Sequence, residues 1–195
     1  MSLLLYLSHP QVVIDADIPV TEWSLNAVGQ ARIAALCERA PLILADTTAI
    51  YSSPERKARD TAAPLAAALG LSVQIVQDSY ENDRSSTGFL PPDAFKVMAD
   101  RFFANPLDSV EGWEAAADAQ ARIVACIDRV LADSPPGDLV VVGHGAVGTL
   151  LFCALSGIAI SRDHDQGPGG GGNVMTFDRD TRQPLQKWQP IEAFI

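Results

Sequence analysis

Short unbroken apolar runs alternate along this chain with longer stretches in which apolar residues return every third or fourth position. The first unbroken run is Leu3-Leu4-Leu5-Tyr6-Leu7, the pattern of a strand buried on both faces of a parallel sheet. It ends at Ser8-His9-Pro10, because Pro10 cannot donate to a β ladder. His9 therefore falls just past a strand's carboxyl end, the edge at which open α/β sheets bind ligands. Between Ser24 and Ala40 the residues Leu25, Val28, Ile33, Leu36 and Cys37 recur at helical spacing. Thr48 to Ser52 reads as a second strand. Ser53-Pro54 then reads as a helix start, with Ser53 as the cap and Pro54 in the first turn, and Gly70 as the stop after Leu69. Leu71 to Gln77 is a candidate third strand.

From Asp78 to Pro106 the pattern is irregular around Gly88, Pro91 and Pro92, with a short helix over Asp93 to Phe103; connections of this length are often active-site lids. Val110 to Asp133 reads as one helix and Pro135-Pro136-Gly137 as a turn. Leu139-Val140-Val141-Val142 is the clearest strand. It enters Gly143-His144-Gly145 and a helix running through Leu155. Gly167 to Gly172 is a glycine-rich loop, flexible by composition, and two short strands, Val174–Phe177 and Leu185–Trp188, close the pattern. Strands alternating with helices predict a three-layer α/β/α fold with a mostly parallel central sheet. The expected organisation is a single domain over residues 1–195, with a small inserted lid at about 78–110.

Composition narrows the partners. The formal charge of −10 argues against nucleic acid and anionic membranes, which are bound through clustered Lys and Arg. A small phosphate ester responds to the local field of a pocket and stays open. The three cysteines, Cys37, Cys126 and Cys153, are odd in number and lie in helix-like stretches, so they read as reduced core residues of a cytoplasmic protein. Met1 to Leu7 lacks a basic leader and is not read as a signal peptide. No apolar stretch is long enough to span a bilayer.

Of the three histidines, His9 and His144 each directly follow a strand. A neutral imidazole is a nucleophile near pH 7, so two converging at strand ends suit phosphoryl transfer; as single residues, each is equally an ordinary loop histidine. The wider pattern adds to this. The chain carries Leu5-Tyr6-Leu7-Ser8-His9-Pro10, then Trp23-Ser24-Leu25-Asn26-Ala27-Val28-Gly29-Gln30-Ala31, then Ser52-Ser53-Pro54-Glu55-Arg56-Lys57-Ala58-Arg59-Asp60-Thr61-Ala62, then Glu81, and finally Val140-Val141-Val142-Gly143-His144-Gly145. In that order these motifs resemble the histidine phosphatase, or phosphoglycerate mutase-like, family, which has Arg-His-Gly, Leu-Thr-x-x-Gly, Ser-Ser-Pro-x-x-Arg-Ala, a Glu and Ser-His-Gly.

The resemblance implies hydrolysis of a phosphomonoester without a cofactor or metal. His9 would become a phosphohistidine, Glu81 would protonate the leaving oxygen, and His144 would hold phosphoryl oxygens. Ser8, Ser53, Lys57, Arg84, Gly145 and His164 are the candidate substrate-binding residues, with N–H groups near Ser53-Pro54 adding to an anion site. The expected partner is a small phosphorylated substrate or inorganic phosphate. Ser8 and Lys57 stand where the family has arginines, and Pro10 where it has Gly. Lys does not reproduce the planar fork of Arg. Arg56, Arg59 and above all Arg84 are the candidate replacement cations, Arg84 being otherwise a solvated loop charge.

Other residues carry plainer readings. His164 reads as a surface histidine or a substrate contact. Asp163 and Asp165 beside it do not complete a metal site. Trp23 and Trp113 read as core or pocket wall, and Phe89, Leu90, Phe95, Phe102 and Phe103 as the lid's own small core. Three other functions compete. A phosphatase-like domain that has lost activity is favoured by the missing arginines. A mutase is disfavoured by the scarcity of cations. Gly143-His144-Gly145-Ala146-Val147-Gly148 also fits a dinucleotide fingerprint, but too little chain follows it for a second βαβαβ half.

Overall fold

The computed structural model describes residues 2–194. Its sheet has six strands: β1 (Leu3–Ser8), β2 (Thr47–Ser52), β3 (Val73–Ile75), β4 (Asp138–Gly143), β5 (Asn173–Asp178) and β6 (Pro184–Pro190), in the order β3-β2-β4-β1-β5-β6. The pairs β1–β4, β2–β4 and β2–β3 are parallel, whereas β5 and β6 add antiparallel at one side. Five α-helices cover the faces: α1 (Ala27–Ile43), α2 (Arg56–Leu69), α3 (Pro92–Ala104), α4 (Ala116–Asp133) and α5 (Gly145–Leu155).

The unbroken apolar run of β1 is explained by burial on both sides. Successive side chains of a strand point to opposite faces. Leu4 and Tyr6 join a core with Val141, Trp113, Ile123, Ile127 and Leu150. Leu5 and Leu7 join the other, with Val140, Val142, Ile33, Leu36 and Leu65. Among the described residues no helix is long and apolar enough to cross a membrane.

Several element boundaries differ from the sequence expectation. Helix α1 begins at Ala27, where the Asn26 side chain accepts from Gly29 N at 3.0 Å; Val28, counted in its apolar stripe, is exposed. The helix expected over Val110–Asp133 is interrupted, because Gly112 takes a left-handed φ of +82° and α4 starts only at Ala116. The interruption lets Trp113 turn into the core at 2% exposure. The aromatic residues after β3 do not form a separate small core. Phe102, Phe103, Leu90 and Phe95 are continuous with the main core on the α4–α5 face, and Phe89 packs on Trp23.

Helix α2 shows the difference that matters most. Ser53 does not cap it: the helix starts at Arg56, its N-cap is Glu55 in an extended conformation, and no side chain caps it. The Ser53 hydroxyl is used elsewhere. Gly70 ends the helix in the left-handed conformation, φ +69°, as its type predicts.

Candidate active site

Strands β1 and β4 are hydrogen-bonded neighbours in parallel register, Ser8 opposite Gly143. The residues that follow them, His9 and His144, are thus delivered side by side at one sheet edge. The β4 carbonyl of Gly143 accepts from His9 N at 3.1 Å, and the two imidazoles lie edge to face with centroids 5.3 Å apart. Strand β2 runs along the other side of β4, and Ser53 N donates to Val142 O at 2.9 Å. That pairing places the Ser53 hydroxyl 2.7 Å from His144 Nε2.

Each ring has a defined state. His9 Nδ1 lies 2.9 Å from the carbonyl oxygen of Pro10. A carbonyl only accepts, so Nδ1 carries the proton and Nε2 keeps its lone pair. Burial lowers the pKa of His9 to about 3, helped by His144 and Lys57. Burial likewise lowers His144 to about 4 against the pull of Glu55. Both rings are therefore neutral at neutral pH. The Nδ1 of His144 is buried with no partner among the described residues.

A linkage prediction follows. In the unfolded chain a histidine titrates near 6.5, so between that value and the folded values the unfolded state binds more protons. Stability is then complete above pH 6.5 and falls as the pH drops toward 4 and 3, by about 1.4 kcal/mol per pH unit for each ring. Urea midpoints measured from pH 7.5 to 4.5 are expected to decline steadily below 6.5. A flat profile across that window would contradict the buried neutral state.

Glu55, unmarked by the sequence pattern, is central to the geometry. It is 6% exposed and pairs with Lys57 Nζ. Its Oε1 accepts from Glu81 N at 2.9 Å and lies 3.5 Å from His144 Nε2. Burial alone would raise its pKa, but His144, Lys57 and these hydrogen bonds outweigh it and hold the group down at about 2. Lys57 also donates to Val20 O at 2.8 Å. The structure thus brings Lys57 to the site but commits its ammonium to Glu55 and a carbonyl.

Glu81 lies at the N-terminus of α5, its carboxylate accepting from Ala146 N at 3.2 Å and Val147 N at 3.0 Å. It is held there by Arg122 of α4, which the sequence pattern also left unmarked. Arg122 donates to the carbonyls of Asp78 and Tyr80 at 2.9 Å each, forms a fork with Glu114 and stacks on Tyr80. The same geometry removes the dinucleotide alternative, since the α5 N-terminus that a pyrophosphate would need holds Glu81. Gly148 has a packing role instead: a Cβ there would lie 2.6 Å from the Tyr6 ring and 2.7 Å from Trp188.

Arg84 lines a cleft of about 390 Å³ with Val20, Glu55, Tyr80, Glu81 and Asn82. Its guanidinium sits 4.8 Å over the Phe95 ring, and burial lowers its pKa. This is a half-buried cation at the pocket wall, not a solvated loop charge. Arg56 and Arg59 are exposed and face away, Arg56 near Asp60. His164 packs its ring against Phe152, 5.7 Å between centroids, and makes no contact with the histidine pair.

Ser8 is fully buried. Its hydroxyl donates to Gln166 Oε1 at 2.6 Å and accepts from Asn173 N at 3.1 Å. The glycine loop is anchored, contrary to its composition. Gly172 N donates to His9 O at 3.0 Å, Arg32 donates to the carbonyls of Gly171 and Gly172 at 2.8 Å, and a Cβ at Gly171 would lie 2.1 Å from His9 O. Its glycines permit close approach to the His9 backbone.

A wider depression of about 610 Å³ lies at the opposite sheet edge. Its arginines are already spent, Arg179 on carbonyls of the 134–137 turn and Arg182 on Asp128.

Two neutral histidines and a glutamate thus meet at the carboxyl edge of an α/β sheet. Residues 15–188 match the model of the histidine phosphatase superfamily (branch 1), and the chain belongs to that superfamily. No curated protein matches the sequence. Solved structures share the fold. A phosphoserine phosphatase mutant from Entamoeba histolytica in complex with phosphoserine superposes with a TM-score of 0.79 at 14% identity, covering 100% of both chains. YhfR of Bacillus stearothermophilus gives 0.78 at 18% identity, over 97% of this chain and 96% of that one. A mycobacterial glucosyl-3-phosphoglycerate phosphatase with inorganic phosphate gives 0.72 at 19% identity, over 99% and 100%.

Proposed function

We propose that the protein hydrolyses a phosphomonoester through a phosphohistidine on His9. The observation that carries this reading is the Nδ1–Pro10 contact of 2.9 Å, which leaves Nε2 as a free lone pair beside His144. In the first step Nε2 forms a bond to phosphorus as the ester P–O bond breaks, and Glu81 gives its proton to the departing alkoxide. In the second, water attacks phosphorus, Glu81 takes its proton, the N–P bond breaks and inorganic phosphate leaves. The Gly145 backbone and the unpartnered Nδ1 of His144, which carries the ring proton when Nε2 accepts from the Ser53 hydroxyl at 2.7 Å, supply neutral donors for the phosphoryl oxygens, and Arg84 supplies a cation.

A second reading, a binding module without turnover, is favoured by the commitment of Lys57 to Glu55, which removes one cation from the hollow. Hydrolysis is preferred to mutase chemistry for the same reason, since a bisphosphate needs more positive charge. The distinguishing experiment is phosphate release across a panel of small phosphomonoesters, with inorganic phosphate as competitor. Turnover of at least one ester with competitive inhibition is expected. Binding of phosphate with no turnover of any ester would establish the module instead.

A further inference from the structure

We propose that Gln166 is the oxyanion donor that takes over from the arginine absent at Ser8; this rests on the phosphatase reading above. Gln166 precedes the glycine loop, yet its side chain turns inward. Its Oε1 accepts from the Ser8 hydroxyl at 2.6 Å and from Asn173 Nδ2 at 3.2 Å. An amide oxygen fixed by two donors determines where the NH₂ group lies. That group has no protein acceptor among the described residues and rests over Gly145, where a Cβ would come within 2.2 Å of Nε2. Gly145 lies in helix α5 and shows no left-handed backbone angle, so the approach of Gln166 accounts for its missing side chain.

Besides Asn173, Gln166 touches the immediate neighbours of the reacting pair: Ser8 precedes His9 and Gly145 follows His144. The carboxamide therefore bridges the ends of β1 and β4, with two N–H donors to offer a phosphoryl oxygen. It brings no charge. With Lys57 paired to Glu55, the hollow holds its anion mainly through neutral donors, the Gln166 amide among them.

The test compares Gln166→Ala and Gln166→Glu with the unaltered protein, reading orthovanadate affinity by titration, kcat and KM on a turned-over ester, and the thermal midpoint. Glu keeps an acceptor for Ser8 and Asn173 but replaces the NH₂ with a carboxylate oxygen. Loss of one preorganised oxyanion donor lowers kcat by roughly 10²- to 10³-fold. That loss is expected in both variants, with vanadate binding weakened at least about tenfold and a lesser change in KM. Gly145→Ala, which displaces the carboxamide without altering it, is expected to reproduce the loss even if one Gln166 variant folds poorly. Vanadate affinity and kcat within about threefold of the unaltered protein in a folded Gln166 variant would overturn the assignment while leaving the phosphatase reading intact. Absence of vanadate and phosphate binding in the unaltered protein would overturn both.

Discussion

His9→Ala is expected to lower phosphate release by at least about 10³-fold, since no other group supplies the nucleophile. The reasons lie in the geometry. His9 is held by its own backbone to Gly143 and Gly172 and by Nδ1 to Pro10, so removing the ring leaves those backbone hydrogen bonds in place. It also removes one buried neutral imidazole, so the acid-side decline of stability is expected to become shallower. Steady-state kinetics on the best ester of the panel, with urea midpoints at pH 7 and pH 5, check both parts. A variant retaining more than a tenth of the activity would take His9 out of the chemistry.

Lys57→Met is expected to destabilise the fold by about 3–5 kcal/mol, the cost of leaving a buried carboxylate without its partner. Lys57 is 3% exposed and Glu55 6%, so water cannot replace the lost ammonium. The double variant Lys57→Met with Glu55→Gln is expected to recover most of the loss, because the neutral amide removes the stranded charge. Chemical denaturation of the two variants beside the unaltered protein measures this directly. A loss under about 1 kcal/mol for the single change would place the pair among weak, solvent-screened ion pairs.

The strands that carry the histidines were legible because burial on both faces leaves unbroken apolar runs, and Pro10 marks where the first one stops. Glu55 was hidden by a small boundary error. With a helix starting at Ser53-Pro54, residues 55 and 57 would not face each other. Once the helix starts at Arg56, Glu55 lies outside it in extended conformation and turns back to Lys57 and His144. Gln166 was invisible for another reason: it sits in a polar segment beside six residues that read as loose loop, and only the tertiary contact with Ser8 gives it a role. Arg122 looks like one more polar position on an amphipathic helix until α4 is packed against the segment carrying Glu81. Local pattern encodes elements and their ends, whereas the contacts of Glu55 and Arg122 with the Glu81 backbone and of Gln166 with Ser8 reach across 26 to 158 positions of chain.

The phosphohistidine is the species on which the proposed function stands. Rapid acid-free quenching of the protein with a phosphorus-labelled ester, followed by peptide mapping, reads it directly. The proposal predicts label on the peptide containing His9, stable to alkali, labile to acid and absent from His9→Ala. Steady release of phosphate with no labelled protein at any time, or label that persists in His9→Ala, would contradict it.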